Sequence, residues 1–156
     1  YSVSNVVLFA PVLCHYVQDA YQPFHATDDY DGIQAGQRGI HSRFERDLFE
    51  RFSDRLVINP PAPKPVMNRR DASFDALLES YQLVGTILKA DKAALGTRAA
   101  YDDMYYETFF ASVKPVLEKR LGEAIAATAG AIIGAWEQAG RPVVRLKDVR
   151  PLEKPR

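Results

Sequence analysis

Residues 15–26 read HYVQDAYQPFHA. His15 and Asp19 are four apart, which on a helix places both side chains on one face, about one turn from each other. Pro23 closes that helix, because the residue before a proline avoids the helical region. Upstream, Leu8 and Val12 continue the same stripe at helical spacing, so a helix is predicted over residues 4–22, with Pro11 bending it or standing in its first turn. Downstream comes a polar loop, residues 25–39, that contains Asp28, Asp29, Asp31, Gly32, Gly36 and Gly39. A second helix is predicted over residues 40–56, with His41, Glu45, Leu48 and Phe52 on its inner face.

The rest of the chain continues in helical periods. Residues 59–65 read NPPAPKP, four prolines in seven residues, which excludes regular structure and marks an exposed extended connection. A third helix is expected from Asp71 or Ser73, either of which can cap it. It carries an apolar stripe of Phe74, Leu77, Leu78, Tyr81, Val84, Gly85 and Leu88 and ends at Gly96. A fourth begins near Thr97 or Arg98 with Tyr101, Tyr105, Phe109 and Phe110. Pro115 is expected to break it from a fifth, on which Leu117, Leu121, Ile125, Thr128, Ile132 and Trp136 share a face up to Gln138. Gly140 and Pro142 supply the stop. Residues 143–149 are the one weak strand candidate. The fold expected is all-α, a helical bundle of about five helices. Residues 1–140 form its domain and residues 141–156 a basic, proline-containing tail.

Composition restricts function only loosely. The 156 residues suffice for one domain with a real core. They are 47% hydrophobic and 26% charged, as in an ordinary globular protein. Lys plus Arg and Asp plus Glu number 20 each, so no global basic field argues for nucleic acid. The single cysteine, Cys14, reads as a small buried residue on the first helix rather than a nucleophile. The apolar run 6–13 is too short to span a bilayer and lacks the basic flank of a signal peptide.

Chemistry concentrates in one region. All three histidines lie between positions 15 and 41. His15–Asp19 and His41–Glu45 are two His–carboxylate pairs at i,i+4 on consecutive helices, and His25 sits in the loop between them, where the backbone can re-aim its ring. Imidazole and carboxylate are the usual ligands of catalytic zinc. A lone pair of this kind is ordinarily a surface pair or a hydrogen-bonded core histidine, whereas two pairs with a histidine between them shift the balance toward a metal. Both pairs continue apolar stripes, and a carboxylate on an apolar face is costly unless something offsets its charge. On spacing alone two readings stand level: zinc held between the first two helices and the loop joining them, or two ordinary His–carboxylate pairs. The loop TDDYDG is not an EF-hand: Thr27 would stand at the first ligand position and Arg38 at the twelfth, both wrong for calcium. Its aspartates are read as solvated.

At these residues the sequence resembles the zinc-dependent phospholipase C and single-strand-specific zinc nuclease family. The carrying motif is HYVQDAYQPFHA, a His, three residues, an Asp, five residues and a His, with Gln22 and Pro23 ahead of the last His. GIHSRFE, residues 39–45, looks like the family's distal His-x-x-x-acid pair. Residues 115–136, PVLEKRLGEAIAATAGAIIGAW, look like its C-terminal helix. The resemblance implies an all-α, secreted or periplasmic phosphodiesterase that uses three zinc ions. Carried over by motif position, His25, His41 and Glu45 hold one zinc. His15 and Asp19 serve a dinuclear pair, with Asp19 bridging as the catalytic carboxylate. The family's upstream ligands, a tryptophan, two histidines and an aspartate, have no counterpart here. A missing upstream half is expected to supply them; the alternatives are a second chain or loss of the dinuclear pair.

Substrates implied are phospholipid or nucleic acid, and HSRFE with Glu45 looks more like the phospholipase branch. Tyr21, Phe24, Tyr30, Tyr105 and Tyr106 are either core and rim packing or a surface for bases or a lipid headgroup. Taken without the resemblance, the residues also allow a non-catalytic helical module with a structural zinc, or a metal-free helical interaction protein.

Overall fold

Ile40, Phe44, Leu48 and Phe52 recur every fourth residue, and all four are buried. They anchor α2, residues 40–52, to the core of a four-helix structure. A computed structural model describes residues 3–143 of the chain. Its helices are α1 (Val3–Asp19), α2, which runs α-helical over Ile40–Ser42 and Leu48–Phe52 and widens to a π turn over Arg43–Asp47, α3 (Arg69–Leu95) and α4 (Asp103–Gln138). Short 3-10 turns occupy Pro23–Ala26 and Ser53–Arg55. There is no strand among the described residues, and the strand candidate lies outside them apart from Val143.

The expected fourth and fifth helices are one. Asp103–Gln138 is continuous through Pro115, as α1 is through Pro11. A proline within a helix forfeits a hydrogen bond and costs about 3 kcal/mol. On both sides of Pro115, however, the helix sinks into the same core, with Phe109, Phe110, Val113 and Leu117 all buried. Each such side chain contributes roughly 1.5–3 kcal/mol, so packing outweighs the local penalty. The helix also starts later than the sequence suggests, after the cap that Asp102 provides by accepting from the Tyr105 N–H at 2.7 Å. Likewise α3 begins at Arg69, because Asn68, not Asp71 or Ser73, accepts from the Asp71 N–H.

Two stripes differ from expectation, although Val84 is buried and Leu88 packs on the core as expected. On α3 the buried positions are Ala76, Ser80, Val84, Ile87, Asp91 and Ala94, while Phe74, Leu78 and Tyr81 are exposed. On α1 no residue is buried. It rests against α4 through its Ala10, Leu13, Cys14 and Val17 side, where Cys14 is half-buried, and leaves Leu8 and Val12 exposed.

The proline-rich connection is exposed, as predicted, but it is not loose. It runs along α4 over Gly122, Gly130 and Gly134, and the Val66 N–H donates to the Gly130 carbonyl at 2.9 Å. A methyl group at Gly130 or Gly134 would collide with the backbone carbonyl of Lys64 or Val66.

Candidate metal centre

Two buried polar side chains fix the turn that carries His25. Past Asp19 the chain leaves the helix, and the carbonyls of Ala20 and Tyr21 take their partners from other elements. Ser80 of α3 donates its hydroxyl to the Ala20 carbonyl at 2.7 Å, and Arg120 of α4 donates Nε to the Tyr21 carbonyl at 3.1 Å. Arg120 is almost wholly buried and also binds Ser80, Glu79, Glu123 and the Ala76 carbonyl. The 3-10 turn Pro23–Ala26 then packs on α3, with Phe24 fully buried against Phe44.

The partner residues come from α2. A second buried group, Arg43, grips this helix from behind. Its guanidinium donates to Asp91 Oδ1 of α3 from both Nε (3.1 Å) and Nη2 (2.9 Å), and to the Tyr105 hydroxyl of α4 at 3.0 Å. The Tyr105 hydroxyl donates to the same Asp91 oxygen, and Gln37 Nε2 donates to Asp91 Oδ2 at 2.5 Å. Burial works against the Arg43 charge, but Tyr105 and Asp91 outweigh it and hold the group protonated above its ordinary range. Burial and the Asp91 carboxylate push the Tyr105 phenol far above 10.0.

With both supports fixed, three donor atoms meet. His25 Nε2 lies 3.0 Å from His41 Nε2, His41 Nε2 lies 2.8 Å from Glu45 Oε2, and His25 Nε2 lies 3.5 Å from the same oxygen. Among the described residues these three make the single cluster of at least three His, Cys, Asp or Glu arranged to hold a metal ion. Their spacing fits zinc: ligands at roughly 2.0–2.2 Å in a tetrahedron stand about 3.3–3.6 Å apart, so the triangle needs only a slight expansion. Two imidazoles and one carboxylate are also the donor set of a catalytic site, in which a fourth position is left to water or substrate, rather than of a closed structural one.

His15 and Asp19 lie beside this triad, not in it. His15 Nε2 is 3.3 Å from Asp19 Oδ2, and Asp19 Oδ1 is 3.6 Å from His25 Nδ1, the ring nitrogen that faces away from the triad. At 3.6 Å the Asp19–His25 contact is electrostatic, longer than a hydrogen bond.

The burial expected from sequence does not hold for either end group. His15 is 70% exposed, because the Leu8–Val12 stripe it continues is itself exposed, and Glu45 is 51% exposed, beside rather than within the buried row of α2. Burial raises the Glu45 carboxyl pKa, but donation from Gln22 and His41, with the nearby imidazoles, brings it below its ordinary value.

The aromatic candidates divide in the same way. Phe24, Tyr105 and Tyr106 are core, and Tyr21 stacks beneath Arg120. Tyr30 is exposed beside the triad, edge-on to His41 with ring centroids 6.1 Å apart, and Tyr21, partly exposed, borders the cavity next to it. In the loop, Asp29 is not simply solvated: its carboxylate accepts from the N–H groups of Gln34 and Ala35 at 2.9 and 3.0 Å, which folds the loop back on itself.

Sequence reading passed over Arg43, Asp91, Arg120 and Ser80. A signal was present in the buried face of α3, where Ser80 and Asp91 interrupt an otherwise apolar run at three- and four-residue steps. Such interruptions require buried donors elsewhere in the chain.

A cavity of about 390 Å³ opens next to the triad. Its lining combines polar groups, His15, Gln18, Asp19, Tyr21, Gln22 and Glu45, with apolar ones from α2 and α4 such as Phe49, Leu117 and Leu121. Arg120 also borders it, with its guanidinium committed to Ser80, Glu79, Glu123 and backbone carbonyls.

Comparison of the chain with protein-family models, with curated proteins and with solved structures finds no match.

Proposed function

We propose that this chain is part of a zinc-dependent phosphodiesterase of the phospholipase C type, with His25, His41 and Glu45 as zinc ligands. The convergence of two imidazole nitrogens and a carboxylate oxygen within 3.5 Å of one another carries the reading. Bound there, zinc supplies Lewis acidity toward a phosphoryl oxygen and a water that ionises near neutral pH. The chain's own residues do the rest. Asp19 lies behind His25 and, as the family resemblance implies, would together with His15 hold a second, dinuclear metal site. His15 and Asp19 border the cavity and are open to such a partner site. The sequence contains no further histidine, so the pair's remaining ligands belong to polypeptide outside it, an upstream half or a second chain.

The cavity favours a phospholipid over a nucleic acid. Phe49, Leu117, Leu121, Ala124 and Ile125 contribute apolar lining, and Arg120, the one Lys or Arg that borders it, already has its partners. Nucleic-acid binding draws on free Lys and Arg against phosphates. Tyr30 beside the triad is placed to meet a headgroup cation. Secretion or a periplasmic location belongs to the same proposal. No described helix is long and apolar enough to cross a membrane.

The test is hydrolysis by the zinc-loaded full-length gene product, with phosphatidylcholine vesicles and a single-stranded oligonucleotide as rival substrates. The proposal expects vesicle hydrolysis that Glu45→Ala reduces at least about 100-fold, the scale on which a lost transition-state stabiliser acts. Faster cleavage of the oligonucleotide would overturn the lipid preference. Cleavage of neither substrate by protein that retains zinc would leave the metal structural and the module non-catalytic.

A further inference from the structure

Every hydrogen-bonding group of Gln22 is committed, and each bond leads toward the triad. Its backbone N–H donates to the Asp19 carbonyl at 3.0 Å, and its backbone carbonyl accepts from the His25 N–H at 3.1 Å. Its side-chain carbonyl accepts from the Phe24 N–H at 2.5 Å, capping the 3-10 turn on which His25 sits. Its side-chain amide donates to Glu45 Oε2 at 2.9 Å, the oxygen that faces both imidazoles. The amide cannot be reversed, since that would set its NH2 group against the Phe24 N–H.

We propose that Gln22 is the positioning residue of the metal centre, joining the turn of His25 to the carboxylate of Glu45 through one side chain. The inference rests on the reading of His25, His41 and Glu45 as zinc ligands. His25 and Glu45 lie on different elements, 20 residues apart in sequence. Ser80, Arg120 and Arg43 place the backbones of those elements, and Gln22 adds the one side-chain link that joins the turn directly to the Glu45 carboxylate. The carboxylate oxygen has two lone-pair directions, one accepting from Gln22 and one left toward the imidazoles and the ion. A carboxylate thus held keeps its orientation when a metal arrives, and partners of this kind are worth about 10–100-fold in metal affinity. Glutamate cannot replace glutamine here: it retains an acceptor for Phe24 but has no donor for Glu45, and it adds a like charge.

The experiment measures zinc affinity by competition with a chromogenic chelator, and the cobalt(II) ligand-field spectrum, in wild type, Gln22→Met and Gln22→Glu. Thermal unfolding of each metal-free protein is recorded alongside. Both variants are expected to bind zinc about 10–100-fold more weakly and to alter the cobalt spectrum. Gln22→Glu keeps the cap, so weakened binding in it isolates the link to Glu45. Zinc affinity in Gln22→Glu equal to or tighter than wild type, with an unchanged cobalt spectrum, would reduce Gln22 to a turn cap and overturn the inference. Wild type that binds no zinc would overturn the ligand reading itself, a different failure.

Discussion

Arg43 and Glu45 are two residues apart on α2, one facing the core and the other facing solvent. Arg43 is 5% exposed, and its donors meet Asp91, Tyr105 and the carbonyls of Gln37 and Arg38. Glu45 is half-exposed and meets only His41, His25 and Gln22. The buried face is a closed network in which charge and hydrogen bonds balance inside the protein. On the open face, donor atoms converge on a point. A helix that must present ligands at its edge has to be held from the other side, and the Arg43–Asp91 pair reaches α3 and, through Tyr105, α4. The π turn at Arg43–Asp47 lies where these duties meet, and such turns recur at functional sites.

If the two faces divide stability from metal binding in this way, substitutions should separate them. The largest effect is expected from Asp91→Ala, which strands a buried guanidinium and a phenol. It should cost about 3–5 kcal/mol in denaturant unfolding, while the fraction that remains folded keeps its zinc. His41→Ala should do the reverse. It abolishes zinc retention and removes the stabilisation that zinc adds, about 2.7 kcal/mol at a free concentration 100-fold above Kd, and leaves metal-free stability nearly unchanged. A large loss of metal-free stability in His41→Ala would break the division.

Alkaline pH should sharpen the contrast. The Tyr105 phenol keeps its proton in the folded state far above 10.0, whereas the unfolded chain releases it near that value. The folded protein then binds more protons than the unfolded one, so this contribution is complete below pH 10.0 and is lost as pH rises past it, by up to about 1.4 kcal/mol per pH unit. Tyr105→Phe should flatten that limb of a stability–pH profile, and an identical slope in wild type and variant would contradict it. The smallest effect is at the open face. Glu45 ionises below its ordinary value of 4.5, so the stability it adds to the metal-free protein is present above that pH and lost as pH falls through the lower folded value. Glu45→Gln should reduce the acid-side fall only slightly, because half the side chain is exposed to water.

The helical class and the triad were legible in the sequence because both depend on local spacing. His41 and Glu45 are neighbours by helical geometry alone, and Pro23 fixes where the chain turns to bring in His25. What long-range packing decides was not legible. Pro115 reads as a break until the aromatic residues before it and Leu117 after it are seen in one core. Phe74, Leu78 and Tyr81 read as a buried stripe, yet α3 turns Ser80 and Asp91 inward because Arg120 and Arg43, 40 and 48 residues away, are there to meet them. Burial of His15 and Glu45 was inferred from apolar neighbours on the same helix, and whether a stripe faces inward depends on helices elsewhere in the chain.

The central claim, that the open face of α2 and the turn at His25 hold one metal ion, is tested most directly by elemental mass spectrometry. Zinc per chain is measured in wild-type protein after gel filtration in metal-free buffer. About one tightly held zinc per chain is predicted, since His25, His41 and Glu45 complete one site. Folded protein with zinc near zero, purified without chelator, would contradict the account.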